Sequence, residues 1–160
     1  MTDVSDVSSA DAGWRDSAVI ERLLTTPAIW AVVGLSANRA RTAYHIAGVL
    51  RDQLGMTVVP VHPRAESVNG MPGYARLADI PSPGVDGSPG PVTVVDYFIN
   101  RSRVGPLVDE AIAESGRLGI RAVWLQLGVV DEAAAQRARD AGLEVVMNTC
   151  PAMEAPRFGL

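Results

Sequence analysis

The stretch Ile29-Trp30-Ala31-Val32-Val33-Gly34-Leu35-Ser36-Ala37-Asn38-Arg39-Ala40-Arg41 decides the fold. A short apolar run stops at a glycine, and a polar loop with two arginines follows. Beyond it Ala43, Ile46, Ala47, Leu50 and Leu54 recur at helical spacing. The pattern predicts a strand over 29–33, a tight turn, and a helix over about 39–54. Unpaired N–H groups and the positive dipole end at a helix start favour an anion, so the turn suits a phosphate-bearing ligand. Gly34 lets the main chain turn and come close to that ligand. Ser36 and Asn38 are expected to cap the helix or bond phosphate oxygens, with Arg39 and Arg41 adding positive charge.

The same alternation continues in both directions. A helix is expected over 16–24, stopping ahead of Pro27. Thr57-Val58-Val59-Pro60-Val61 reads as a second strand and Val92-Thr93-Val94-Val95-Asp96-Tyr97-Phe98 as a third. The segment 81–91 is dense in proline and glycine and reads as an exposed loop. Helix is expected over 104–115, strand over 121–127, helix over 131–141 and strand over 143–147. Asp131 should cap the last long helix and Gly142 end it. Residues 1–13 read as a disordered, acidic lead-in, and 14–160 as one domain.

Several of these strands are apolar throughout, as in parallel sheets covered by helices on both faces. Right-handed crossovers then make the expected fold α/β, a Rossmann-like three-layer sandwich with a parallel sheet of about five strands. Ligands of such sheets lie beyond the carboxyl ends of the strands, where the strand order reverses. That rule nominates the loops at 34–41, 62–64 and 97–101, and the end of the strand at 124–127.

Composition narrows the function. The 160 residues carry a net charge of −4, which argues against general nucleic-acid binding. No apolar run has the length needed to span a bilayer. One cysteine and two histidines give no metal motif, and a lone thiol suits a reducing cytoplasm. A cytoplasmic, metal-free protein is the expectation. The chain contains no lysine, which excludes lysine Schiff-base chemistry.

The glycine turn is not a full dinucleotide fingerprint, because Ser36 and Arg39 stand where later glycines would be. The second strand ends in His62-Pro63-Arg64 and lacks the acidic residue that holds a ribose diol. Arg64 instead welcomes a ribose-linked phosphate. Ordinary NAD is thereby disfavoured, leaving NADP or coenzyme A. His62 is expected to shape its loop or donate to the ligand. Tyr97 and Phe98 must point to opposite layers, so one of them is free to cover an adenine or pantetheine surface, and core is the expectation for Phe98. Asn100 or Ser102 is expected to cap the following helix. Cys150 reads as a small buried hydrophobe, with no base to activate it. Glu154 and Arg157 read as a surface ion pair.

Five segments in order carry a family resemblance: Val32-Val33-Gly34-Leu35-Ser36, Val59-Pro60-Val61-His62-Pro63-Arg64, Asp96-Tyr97-Phe98, Val123-Trp124-Leu125-Gln126-Leu127-Gly128 and Cys150-Pro151-Ala152-Met153-Glu154. Over residues 29–158 the chain resembles the stand-alone CoA-binding proteins called YccU-like. These are similar to the CoA-binding domain of the succinyl-CoA synthetase alpha subunit. The resemblance implies coenzyme A held by its ADP half. The loop Ser36, Ala37, Asn38 and Arg39 would lie along the phosphates and Arg64 near the ribose phosphate, with Gly34, Arg41, His62 and Pro63 also expected at the cofactor. Tyr97 or Phe98 and the strand end Leu125, Gln126 and Leu127 would border the ligand. The synthetase's phosphorylated histidine belongs to a second domain with no counterpart here, so the resemblance implies a ligand and not a reaction. The expected function is binding of CoA or acyl-CoA without catalysis, with an unidentified acyl-transfer enzyme as partner. The alternative is an NADP-dependent oxidoreductase.

Overall fold

A computed structural model describes residues 13–160; the lead-in expected over 1–13 lies outside the described residues except for Gly13. Helix α1 (Ser17–Thr25) starts where the Asp16 carboxylate accepts from the amides of Ala18 and Val19, at 2.9 and 3.1 Å. It buries Ile20 and Leu24. Strand β1 (Ile29–Val33) follows, then helix α2 (Thr42–Gly48), which runs on as a π-helical turn over Val49–Gln53. Strand β2 is Thr57–Val61.

The long crossover from β2 to β3 (Val94–Tyr97) carries a single 3-10 turn, Leu77–Asp79, and no α-helix. Segment 81–91 has no regular structure, as its proline and glycine content predicts. Arg117 pins this crossover from α3 (Val104–Leu118). Its guanidinium donates to the carbonyls of Ile80 (2.6 Å), Leu77 (3.1 Å) and Ala78 (3.3 Å). Strand β4 (Ala122–Leu125), helix α4 (Glu132–Asp140), strand β5 (Glu144–Met147) and the short helix α5 (Pro151–Glu154) complete the chain. Asp131 caps α4 through the amide of Ala134 at 3.0 Å, and Gly142 takes a positive φ of 91° just beyond its end.

The five strands are parallel in the order β2-β1-β3-β4-β5. The order reverses between β1 and β3, the usual ligand crevice of open α/β sheets. The fold is therefore the expected Rossmann-like α/β sandwich. One face packs α3 and α4 over Ala31, Val95, Tyr97, Val123 and Leu125. The other packs α1, α2 and α5 over Trp30, Val32, Trp124 and Val146. The α4 side of the first layer is alanine (Ala134, Ala135, Ala138), which lets that helix lie close to its neighbours.

The register decides where the site lies. Val33 is level with Val61 and Tyr97, Tyr97 with Leu125, and Leu125 with Met147. The residues that leave the five strands, Gly34, His62, Phe98, Gln126 and Asn148, thus stand in one row along the carboxyl edge.

Candidate functional site

Gly34 sits at the reversal point with φ +97°, and a Cβ there would stand 2.2 Å from the carbonyl oxygen of Phe98. The two loops touch backbone to backbone. Phe98 N donates to Val33 O and Gly34 N to Val61 O, both at 2.8 Å. Only glycine meets both conditions.

Above this contact lies a cleft of about 720 Å³ along the carboxyl edge. Its floor and walls come from the ends of β1 to β4 and from the start of α5. Gly34, Ser36, Arg41, His62, Pro63, Phe98, Gln126 and Leu127, all nominated above, line it together with Arg103, Asn100, Val129, Cys150 and Met153. No carboxylate lines it, and among the described residues neither Arg41 nor Arg103 is in an ion pair. A smaller pocket of about 190 Å³ continues from it past Gly34, His62, Pro63 and Arg103 toward Leu107 and Glu110. A depression of about 410 Å³ lies at the opposite, amino edge of the sheet. Its lining carries the cation Arg22 already paired with Glu144, and it has no part in the crevice.

Several sequence expectations need correction. Helix α2 starts at Thr42 and not near residue 39, because Ser36 and Asn38 turn the loop on itself. Asn38 N donates to Ser36 Oγ at 3.3 Å and Ala40 N to Asn38 Oδ1 at 3.0 Å, so these side chains hold loop amides and leave α2 without a side-chain cap. Ala37, Asn38 and Arg39 are exposed on this loop, beyond the cleft walls. Arg64 is also outside the walls; its amide donates to His62 Nδ1 at 3.2 Å and its guanidinium reaches Glu66 at 3.7 Å. Tyr97 and Leu125 are fully buried in the α3–α4 layer, away from the cleft. Strand alternation puts both on that face, and the Tyr97 hydroxyl donates to the Leu107 carbonyl at 3.0 Å. Asn100 closes a turn onto Ser102 and does not cap α3. Glu154 is buried and not a surface group: Thr149 Oγ1 donates to it at 2.6 Å and Arg157 pairs with its other oxygen.

Arg103 and Asp96 are among the residues that escaped the sequence reading. Arg103 follows the nominated 97–101 loop and looked like any solvated arginine. Asp96 carried a signal that went unused, a carboxylate inside an otherwise apolar strand. It is fully buried on the cleft side of the sheet, level with Val32 of β1 and Trp124 of β4. Gln126 Nε2 donates to both its oxygens, at 2.8 and 3.1 Å. Burial pushes the Asp96 carboxyl up to about 7, against the hydrogen bonds from Gln126 and the Tyr97 backbone. Burial also raises the Cys150 thiol, so Cys150 stays protonated at neutral pH and is no activated nucleophile.

The fold is a Rossmann-like α/β domain whose cleft is lined by the cations Arg41 and Arg103 and by apolar side chains such as Val129 and Met153. Residues 28–156 match the family model of a CoA binding domain, and the chain belongs to that family. It is 30% identical over 133 residues to YneT of Bacillus subtilis (strain 168), an uncharacterized protein, covering 83% of this chain and 89% of that one. A hypothetical protein from Pyrococcus horikoshii OT3 superposes with a TM-score of 0.74 at 30% identity, over 88% of this chain and 90% of that chain. The fold is shared more distantly with acetyl-coenzyme A synthetase 1 of Ca. Korarchaeum cryptofilum. There the TM-score is 0.58 at 20% identity, over 78% of this chain and 26% of the synthetase. No helix among the described residues is long and apolar enough to cross a membrane, and no cluster of His, Cys, Asp and Glu among them could hold a metal ion.

Proposed function

We propose that the chain binds coenzyme A or an acyl-CoA across the carboxyl edge of its sheet, held by the ADP half, and performs no chemistry on its own. Two arginines without carboxylate partners among the described residues, Arg41 and Arg103, facing one cleft at the strand-order reversal, carry this reading. Each is a cation held beside a polyphosphate-sized space, where an anion gains charge-assisted hydrogen bonds. The cleft volume falls within the roughly 300–1,000 Å³ usual for small-molecule sites. The phosphates would lie between the Gly34 turn and Arg103, with Arg64 and Arg39 reaching in from the rim. The adenine would take the smaller pocket beside His62 and Pro63. The uncharged pantetheine arm would run toward Gln126, Leu127, Val129 and Met153, where the cleft has no charged side chain. In this reading the domain serves a separate acyl-transfer enzyme as carrier or sensor.

Thermal-shift titration with CoA, acetyl-CoA, dephospho-CoA, NADP and NAD tests this, because a ligand of the folded state raises its stability by mass action. Stabilisation by CoA, weaker with dephospho-CoA and absent with NADP, is expected. Arg41→Ala and Arg103→Ala should each reduce it. A shift with NADP alone would restore the oxidoreductase reading.

A further inference from the structure

Gln126 is 4% exposed yet lines the cleft. Its NH2 group is taken up by both oxygens of Asp96. A carboxylate is only an acceptor, so this orientation of the amide follows from the chemistry of the pair. The carbonyl oxygen of Gln126 therefore points away from Asp96. Among the described residues it has no hydrogen-bond donor, and the only side-chain polar atom both buried and unpaired is the indole nitrogen of Trp30. Gln126 Oε1 is thus open to the cleft as an unpaired acceptor.

We propose that Asp96 is a positioning residue: it turns the Gln126 amide so that its oxygen, and not its NH2, faces the cleft and accepts from an amide N–H of a pantetheine arm. This rests on the CoA reading above. That arm carries two amides and no charge, and Gln126 stands at the end of the cleft without cations. When Asp96 takes a proton, its new O–H can donate to Gln126 Oε1. The amide then turns over and presents NH2 to the cleft, and the acceptor is lost. Around Asp96, β1 offers Val32 and β4 offers Trp124, both uncharged. The titratable groups that sense it are Tyr97 on its own strand and Cys150 at the start of α5. Within the cleft the charged or titratable side chains are Arg41, Arg103, His62 and Cys150.

Calorimetric titration of the wild type and Asp96→Asn with CoA, and with 3′-phosphoadenosine 5′-diphosphate as the nucleotide without the arm, tests the proposal. The substituted side-chain amide can pair with either orientation of the Gln126 amide, so Gln126 is no longer held. CoA affinity is expected to fall roughly two- to fivefold, one acceptor's worth, while the armless nucleotide binds as before. Equal losses for both ligands would mean general damage and overturn the proposal, as would no loss for either. Should Asp96→Asn fail to fold, pantetheine alone decides. Its affinity for the wild type should rise roughly fivefold between about pH 6 and about pH 8. The rise should persist in His62→Gln, which removes the imidazole of the cleft. A flat profile there would overturn the proposal. A wild type that ignores CoA would overturn both this inference and the function on which it rests. A wild type that binds CoA with Asp96 irrelevant would overturn this inference alone.

Discussion

Replacing Asp96 with asparagine should make the protein more stable, and increasingly so as the pH rises. The carboxyl is fully buried, and its pKa is raised from 3.8 to about 7, chiefly by desolvation. A carboxyl with a raised pKa binds its proton more tightly in the folded chain than in the unfolded one. Its contribution is therefore intact below about pH 4 and is lost as the pH climbs through about 7. The interval corresponds to ~4 kcal/mol lost when the group ionises, with little further change above about pH 8. The asparagine side chain keeps the shape and a hydrogen bond to Gln126 but never ionises, so the variant's stability escapes this loss. Urea unfolding of both proteins at several values between about pH 4 and about pH 8 reads the difference, and every other titrating group cancels in it. The midpoint of Asp96→Asn should overtake that of the wild type by ~1–2 M urea at the upper end. Parallel profiles for the two proteins would refute the reasoning, since they would mean that Asp96 ionises as easily in the folded chain as in water.

Other substitutions probe the architecture that holds the cleft. Gly34→Ala should cost ~3 kcal/mol or more in urea unfolding, because the new Cβ meets the Phe98 carbonyl oxygen at 2.2 Å on a backbone with φ +97°. Glu154→Ala leaves the buried Thr149 hydroxyl without its 2.6 Å acceptor and should cost ~2 kcal/mol by the same measurement. Arg117→Ala releases the carbonyls of Leu77, Ala78 and Ile80 at once. Its effect should appear as faster amide exchange over residues 77–82, with strands β3 and β4 little affected.

The elements that were legible in the sequence are those whose period and punctuation agree. β1 and β2 fall at their expected bounds, because apolar runs between a proline- or glycine-marked entry and a glycine or proline exit leave little choice. The cap at Asp131 was readable because a short carboxylate before an apolar period has one common use. Serine and asparagine are less decisive, since their side chains bond loop amides as readily as helix amides. That competition moved the start of α2 from about 39 to 42. At the site, the glycine turn and the 62–63 corner were legible from local chemistry. Tyr97 and Leu125 were misplaced because strand alternation gives two faces without saying which one the ligand shares. Arg103 was missed because its position depends on how β3 meets α3, a long-range fact. Glu154 was misjudged because only the packing of α5 against Thr149 removes it from water.

The two faces of β3 divide the work of the domain, and the division explains why its one charged residue is tolerated. Val95 and Tyr97 point into the α3–α4 layer, where the tyrosine hydroxyl is satisfied internally by Leu107. Val94, Asp96 and Phe98 point into the other layer, beneath the Gly34 loop and beside Gln126 and Cys150. A valine in place of Asp96 would suit a parallel strand buried on both sides. It would also free Gln126 to turn either amide end toward the cleft. The carboxylate lowers stability above neutrality and in return leaves Gln126 a single orientation, while Gly34 locks the adjacent loops together through bare backbone. Rigidity at the carboxyl edge therefore rests on a close glycine contact and a buried charge, both at the β1–β3 reversal. A cleft floored by fixed backbone dipoles needs that edge held still, and here local stability is given up to hold it.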